Sequence, residues 1–237
     1  MMVAWDSAIL LWVNRFVQAS PSLDKLIVLI NGMSLLRGVV VVALLWYVSM
    51  DRRMRLVTED LFWPRTMAGI VAAILLGRGL QNLLPARARP LHDASLDLTL
   101  PAGVAPDTLQ GWSSFPSDHA MLFAALVTAI FLVHRGAGLL AAFWALVMVL
   151  LPRVYLALHY PSDLLAGAAL GVAVMLAAQR VPAPRGLADR LMRLEDRHRG
   201  MAFSAAFLFS FLCATVFDDL RSILRLVPAA VAALQAS

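Results

Sequence analysis

Long apolar runs recur along this chain, each separated from the next by a segment carrying arginine, proline or both. About 20 apolar residues cross a bilayer as a helix, since a helix satisfies its own backbone hydrogen bonds in hydrocarbon. The runs fall at about 35–50, 66–84, 115–133, 138–155, 162–179 and 201–217. They predict an all-α membrane protein built as a bundle of about six transmembrane helices. Composition agrees: 61% of residues are hydrophobic and 15% charged, against about 45–50% and roughly 25% in soluble domains. The formal net charge of +5 sits mostly between the apolar runs. That placement points to membrane orientation and away from a nucleic-acid partner. The single cysteine, Cys213, excludes an intrachain disulfide and a multi-cysteine metal site.

Residues 1–34 read differently. Trp5, Ile9, Trp12 and Phe16 recur at helical spacing, with Asp6, Asn14 and Arg15 elsewhere. This predicts an N-terminal interfacial amphipathic helix with tryptophans at headgroup depth. A cleaved signal peptide is the rival, but the segment lacks a basic start and its apolar stretch is broken early. The bundle then covers 35–217, with a polar outer loop over 85–115. A C-terminal surface tail, 218–237, carries an apolar run too short to span. Arginines gather at 52–55 and 65, at 135, and from 180 to 199. The positive-inside rule places those three loops in the cytoplasm. The 85–115 loop and the junction near 156–161 then share the opposite face. Leu187, Leu191 and Leu194 lie on one side of a possible helix in the basic 180–200 segment, which suits anchoring on anionic lipid.

Two polar sets therefore meet on the outer side. One is Pro152-Arg153 followed by His159-Tyr160-Pro161-Ser162-Asp163. If residues 160–163 stay helical, His159 and Asp163 are one turn apart on one face. The carboxylate would hold one imidazole nitrogen and leave the other to attack. The other set is Phe115-Pro116-Ser117-Asp118-His119-Ala120. Proline suits a first helical turn, whose amides, with the Ser117 hydroxyl, can bind an oxyanion. Arg87 and Arg89 follow the second run, and Arg78 lies inside it. An arginine in hydrocarbon must face the bundle interior and find a partner. Asn82, one turn beyond Arg78, shares its face. Joined, these residues form a phosphate site with His159 as nucleophile and His119 as general acid, then base. Arg89 and Arg153 would stabilise the transferring charge. His134 reads as an interface residue, and His92 and His198 as solvated.

The motifs resemble the type-2 phosphatidic acid phosphatase superfamily of membrane lipid phosphatases. Its three motifs, Lys-x6-Arg-Pro, Pro-Ser-Gly-His and Ser-Arg-x5-His-x3-Asp, appear here in order. They read Asn82-x6-Arg89-Pro90, Pro116-Ser117-Asp118-His119 and Pro152-Arg153-x5-His159-x3-Asp163. The resemblance covers about 66–171. It implies a phosphohistidine on His159, with Asp163 as its partner and His119 as the acid. It also implies phosphate binding by Arg89, Ser117 and Arg153, with no metal and no cofactor. The Phe-Pro-Ser-Asp-His-Ala form, the short chain and the N-terminal helix look most like bacterial undecaprenyl pyrophosphate phosphatases. That implies a bacterial inner-membrane enzyme with an outward-facing site and a lipid pyrophosphate or lipid phosphate substrate.

Three departures stand out. Asn82 replaces the lysine, so Arg78 or Arg87 is expected to supply the missing cation. Pro152 replaces a serine and removes one hydrogen bond to phosphate. Asp118 replaces a glycine, and its carboxylate must point away from phosphate or bind an arginine. Related substrates remain open: phosphatidylglycerol phosphate, phosphatidic acid and lipid A phosphates. So do lipid phosphotransfer and a non-catalytic lipid-phosphate binding or transport protein.

Overall fold

The structure is a computed structural model, and it describes residues 4–50, 62–181 and 197–214, with residues 186, 190 and 193 between them. Every regular element among the described residues is helical, so the all-α expectation holds. The 51–55 arginines, Leu187, Leu191 and Leu194, and the 218–237 tail lie outside the described residues.

Helix α1 (Ala4–Asn14) precedes α2 (Pro21–Gly32) and α3 (Ser34–Met50). Ser20 caps α2, its hydroxyl accepting from the Leu23 amide at 3.4 Å, with Pro21 in the first turn. A 61° bend separates α2 from α3. Helices α4 (Phe62–Leu83), α6 (Arg135–Tyr155) and α7 (Pro161–Arg180) are long and apolar enough to cross a membrane, and α2 with α3 makes a fourth if the bent pair is one span. Helices α5 (Asp118–Val133) and α8 (Arg199–Ala214) have 16 residues each. At 1.5 Å per residue that is about 24 Å, short of roughly 30 Å of hydrocarbon. The described residues thus contain three or four helices of spanning length, where about six were expected. The shortness of α5 has a structural setting: Ala120 to Phe123, Ala125, Leu126, Ala129 and Ile130 are buried among the other helices.

The α5–α7 contact fixes the site. Gly167 and Gly171 lie one turn apart on α7. A Cβ built on Gly167 would overlap the Ser117 carbonyl oxygen, and one on Gly171 the Met121 carbonyl oxygen. Two small residues four apart let the helix backbones touch. The start of α5 and the start of α7 are held together as a result.

Two local features shape the next turn. Residues Leu146–Leu150 of α6 form a π-helical turn, and Pro152 follows it. Proline has no amide to continue the regular ladder. Ala157 then adopts φ 53°, a left-handed conformation that ends the helix. Helix α7 begins only at Pro161, with Tyr160 extended before it, as a residue preceding proline prefers. His159 is therefore outside the helix that carries Asp163. The expected one-turn helical relation between them is replaced by a turn.

The N-terminal helix is present, and its aromatic face is outward: Trp5, Ile9 and Trp12 are exposed, as is Phe16 just beyond it. Asp6, which lies off the aromatic face, points inward and is fully buried, as is Leu10. Its partner is a half-buried arginine, Arg87, described below.

Candidate active site

The turn after α6 carries His159. The Arg153 carbonyl accepts from the Leu158 and His159 amides at 2.9 and 3.3 Å. This folds the chain back and buries the imidazole, which is 3% exposed. Its Nδ1 lies 2.9 Å from the Ser114 carbonyl oxygen. A carbonyl only accepts, so Nδ1 carries the proton and Nε2 keeps its lone pair. Nε2 faces the Arg89 guanidinium, 3.2 Å from Nη1. Burial pushes the His159 imidazole below its ordinary range; Asp163 opposes this, while Arg89 and Arg153 add to it. The ring is thus held neutral, in the tautomer that has a nucleophilic nitrogen beside a phosphate-matching cation.

Asp163 reaches His159 mainly through intermediaries. Its Oδ2 is 3.8 Å from Nδ1, beyond hydrogen-bond range. The carboxylate instead accepts from the Ser114 hydroxyl, from the Tyr160 amide at 2.9 Å and from Arg87 Nη1 at 2.5 Å. Ser114 is also tied to the outer loop, its amide donating to the Arg87 carbonyl at 2.9 Å. Asp163 therefore fixes the residue whose carbonyl orients the imidazole.

His119 sits in the first turn of α5. The Ser117 amide donates to the Asp163 carbonyl at 3.2 Å, which joins this turn to α7. The Ser117 hydroxyl caps the helix by accepting from the Ala120 amide at 3.4 Å, and the His119 amide donates to Asp118 Oδ1 at 2.8 Å. Both groups that the sequence offers to an oxyanion thus also serve the helix end. The His119 ring is anchored on one side only. Nδ1 donates to Asp118 Oδ1 at 2.8 Å, while the buried Nε2 has no hydrogen-bond partner among the described residues. Asp118 Oδ2 in turn meets Arg78 Nη2 at 2.8 Å. Arg78 also contacts Gln81 at 3.4 Å and lies over the Trp112 ring at 5.4 Å. Gln81 binds the Pro116 carbonyl at 2.9 Å. The Asp118 carboxylate is accordingly bound by arginine.

The remaining site residues divide into two groups. Arg89 is 4% exposed; it donates to the Leu158 and Ser113 carbonyls at 2.8 and 3.3 Å, and its Nε is buried without a partner among the described residues. Burial lowers its pKa, opposed by Asp118 and Asp163. Arg153 is equally buried and donates to Asn31 of α2 at 2.8 Å. These two lie with His159, as expected. Arg87 does not offer an uncompensated charge: it is bound by Asp163 and by Asp6. Arg78 is likewise engaged by Asp118. Each of the two arginines expected to supply the missing cation is thus paired with a carboxylate. Asn82 is exposed near the end of α4, away from the buried cluster. His92 donates to the Pro106 carbonyl at 3.1 Å.

Ser114 and Asp6 were not singled out from the sequence. Ser114 adjoins the Phe-Pro-Ser motif but carries no spacing signal. Asp6 is 81 residues from Arg87 in the chain, and nothing in the sequence links them.

A model of the PAP2 superfamily matches residues 65–186, just over half of the chain. The protein belongs to the PAP2 superfamily. The matched stretch holds every residue of the site except Asp6 and Asn31. Bacitracin transport permease protein BcrC of Bacillus licheniformis is 45% identical over 60 residues, which is 25% of this chain and 29% of that protein. The match thus spans under a third of that relative. No solved structure matches the chain.

Proposed function

We propose that this PAP2 protein removes the terminal phosphate of a polyprenyl pyrophosphate, undecaprenyl pyrophosphate first, through a phosphohistidine on His159. The observation carrying this reading is the pair of imidazoles with opposite equipment. His159 keeps an Nε2 lone pair beneath Arg89. His119 is anchored at Nδ1 and leaves Nε2 unengaged.

In the first step Nε2 of His159 attacks the terminal phosphorus. The bond from phosphorus to the bridging oxygen breaks, and His119, which must enter this step protonated on both nitrogens, gives its Nε2 proton to that oxygen, releasing the lipid monophosphate and leaving the ring neutral with its proton on Nδ1. Arg89 and Arg153 offset the charge on the transferring phosphoryl group. Phosphorylation makes the His159 ring cationic, and the Ser114 carbonyl holds its Nδ1 proton. In the second step the neutral His119 takes a proton from water, whose oxygen attacks phosphorus. The phosphorus–nitrogen bond breaks, inorganic phosphate leaves and both rings return to their starting forms. Asp118 and Arg78 keep the His119 ring in the tautomer this exchange needs. No step calls for a metal. The arginine-rich loops support a cytoplasmic assignment for the other face and an outward-facing site in a bacterial inner membrane. About six spans and an interfacial α1 complete the reading.

The low His159 pKa carries a pH prediction. The nucleophile must be neutral, and its protonation is disfavoured by burial, so titration of His159 itself lowers the rate only below the ordinary histidine value of about 6.5. A profile of kcat/KM against pH should keep its acid limb below that value. An acid limb above it would mean that Asp163 outweighs burial.

The substrate is tested by phosphate release in detergent from polyprenyl pyrophosphate, phosphatidylglycerol phosphate and phosphatidic acid, with and without chelator. The polyprenyl pyrophosphate should be cleaved fastest, and chelator should leave the rate unchanged. A faster phosphatidic acid would overturn the substrate assignment, chelator sensitivity the metal-free mechanism, and no release from any lipid the enzymatic reading itself.

A further inference from the structure

The N-terminal helix delivers a carboxylate to the site from outside the stretch that matches the family. Asp6 is fully buried. Its Oδ2 meets Arg87 Nη2 at 2.9 Å and the Ser162 hydroxyl at 2.6 Å. Its Oδ1 accepts from the Ser162 amide at 2.9 Å, in the first turn of α7, where a helix favours negative charge. A buried carboxylate is costly unless it is paired and fully hydrogen-bonded, and here both oxygens are used.

Arg87 is the shared partner. Its other terminal nitrogen reaches Asp163 at 2.5 Å and the Ser162 hydroxyl at 2.9 Å. The guanidinium lies over the Tyr160 ring, 4.0 Å from its centroid. The Tyr160 hydroxyl donates to Asp93 at 2.9 Å. Arg87 is thus gripped on one edge by α1, on the other by α7, and on its face by the residue next to His159. Removing Asp6 would leave one edge of the guanidinium without its acceptor, and the group that pins Asp163 could then turn.

We propose that Asp6 is a positioning residue of the phosphatase reaction: from α1 it clamps Arg87, which secures Asp163, and through Ser114 that sets the His159 imidazole. The inference rests on the proposed function. It gives Arg87 a structural role, its charge being held between two carboxylates.

A double-mutant cycle with Arg87→Gln separates this role from simple anchoring of α1. Asp6→Asn should lower kcat about tenfold, as expected for partners in one ion-pair network. The same change in the Arg87→Gln background should lower it less than about twofold, because its link to Asp163 through the guanidinium is gone while its contacts to Ser162 are common to both backgrounds. Leu10→Ala loosens the same helix through its apolar face and should act by the same factor in both backgrounds. An Asp6→Asn effect of equal size in both backgrounds, or none in either, would overturn the proposal. If Asp6→Asn does not fold, Asp6→Glu replaces it, since the longer arm displaces Arg87; a kcat loss confined to the Arg87-containing protein supports the clamp, and any other pattern overturns it. Melting of the same four proteins in detergent reads the Asp6–Arg87 coupling without turnover. Additive midpoint shifts there would contradict the clamp, whereas phosphate release that survives His159→Ala would contradict only the proposed function.

Discussion

His159→Ala should abolish phosphate release from the lipid pyrophosphate, by about 10⁴-fold or more, the scale seen when a nucleophile is removed from a concerted catalytic set. The size follows from the absence of a substitute. The Ser114 hydroxyl is committed to Asp163, and the Ser117 hydroxyl caps α5. His159→Gln provides the control for folding, because its amide can still donate to the Ser114 carbonyl while offering no nucleophilic nitrogen. Both variants should elute and melt like the parent and both should be inactive. Parental rates in folded His159→Gln would remove His159 from the chemistry. The assay is phosphate release under saturating substrate, so that weakened binding is not mistaken for lost chemistry.

His119→Gln is expected to cost about 10²–10⁴-fold, the usual worth of a positioned general acid or base. Its signature lies in the leaving group. A polyprenyl phosphate leaves poorly without a proton, whereas 4-nitrophenolate leaves without one. With 4-nitrophenyl phosphate the first step should survive, and the second, which needs a base for water, should become limiting. A burst of nitrophenol followed by slow turnover is therefore expected. An equal loss on both substrates, with no burst, would show that His119 serves binding or packing. The ring is prepared for the acid–base role by Asp118 and Arg78, which hold its inner nitrogen and keep the outer one turned away from them.

How far the site could be read from the chain depended on how its partners are spaced. The apolar runs marked the helices because hydrocarbon demands long uninterrupted stretches, and α4, α6 and α7 fall close to where those runs lie. The short α5 reached spanning length only on paper, since its run was counted from Phe115 while the helix begins at Asp118. His159 and Asp163 are legible as a pair, but their one-turn relation holds only if residues 160–163 are helical from His159 on, and they are not. Pro161 starts a new helix and places a turn between them, so the imidazole turns to the Ser114 carbonyl. Asp118 was legible as a carboxylate that needs a cation. Choosing Arg78 over the nearer-looking alternatives required the actual packing of α4 against α5. Asp6 was not legible at all: side-chain pairing across 81 and 156 residues leaves no period in the sequence.

The central claim is a covalent phosphohistidine, and trapping it is the most direct measurement. Protein mixed briefly with polyprenyl pyrophosphate labelled at the terminal phosphorus, then denatured in alkali, should retain label that is stable to base and lost in acid. The label should map to the peptide holding His159 and be absent from His159→Ala. Label on another residue, or rapid phosphate release with no protein-bound label at any time, would contradict the account.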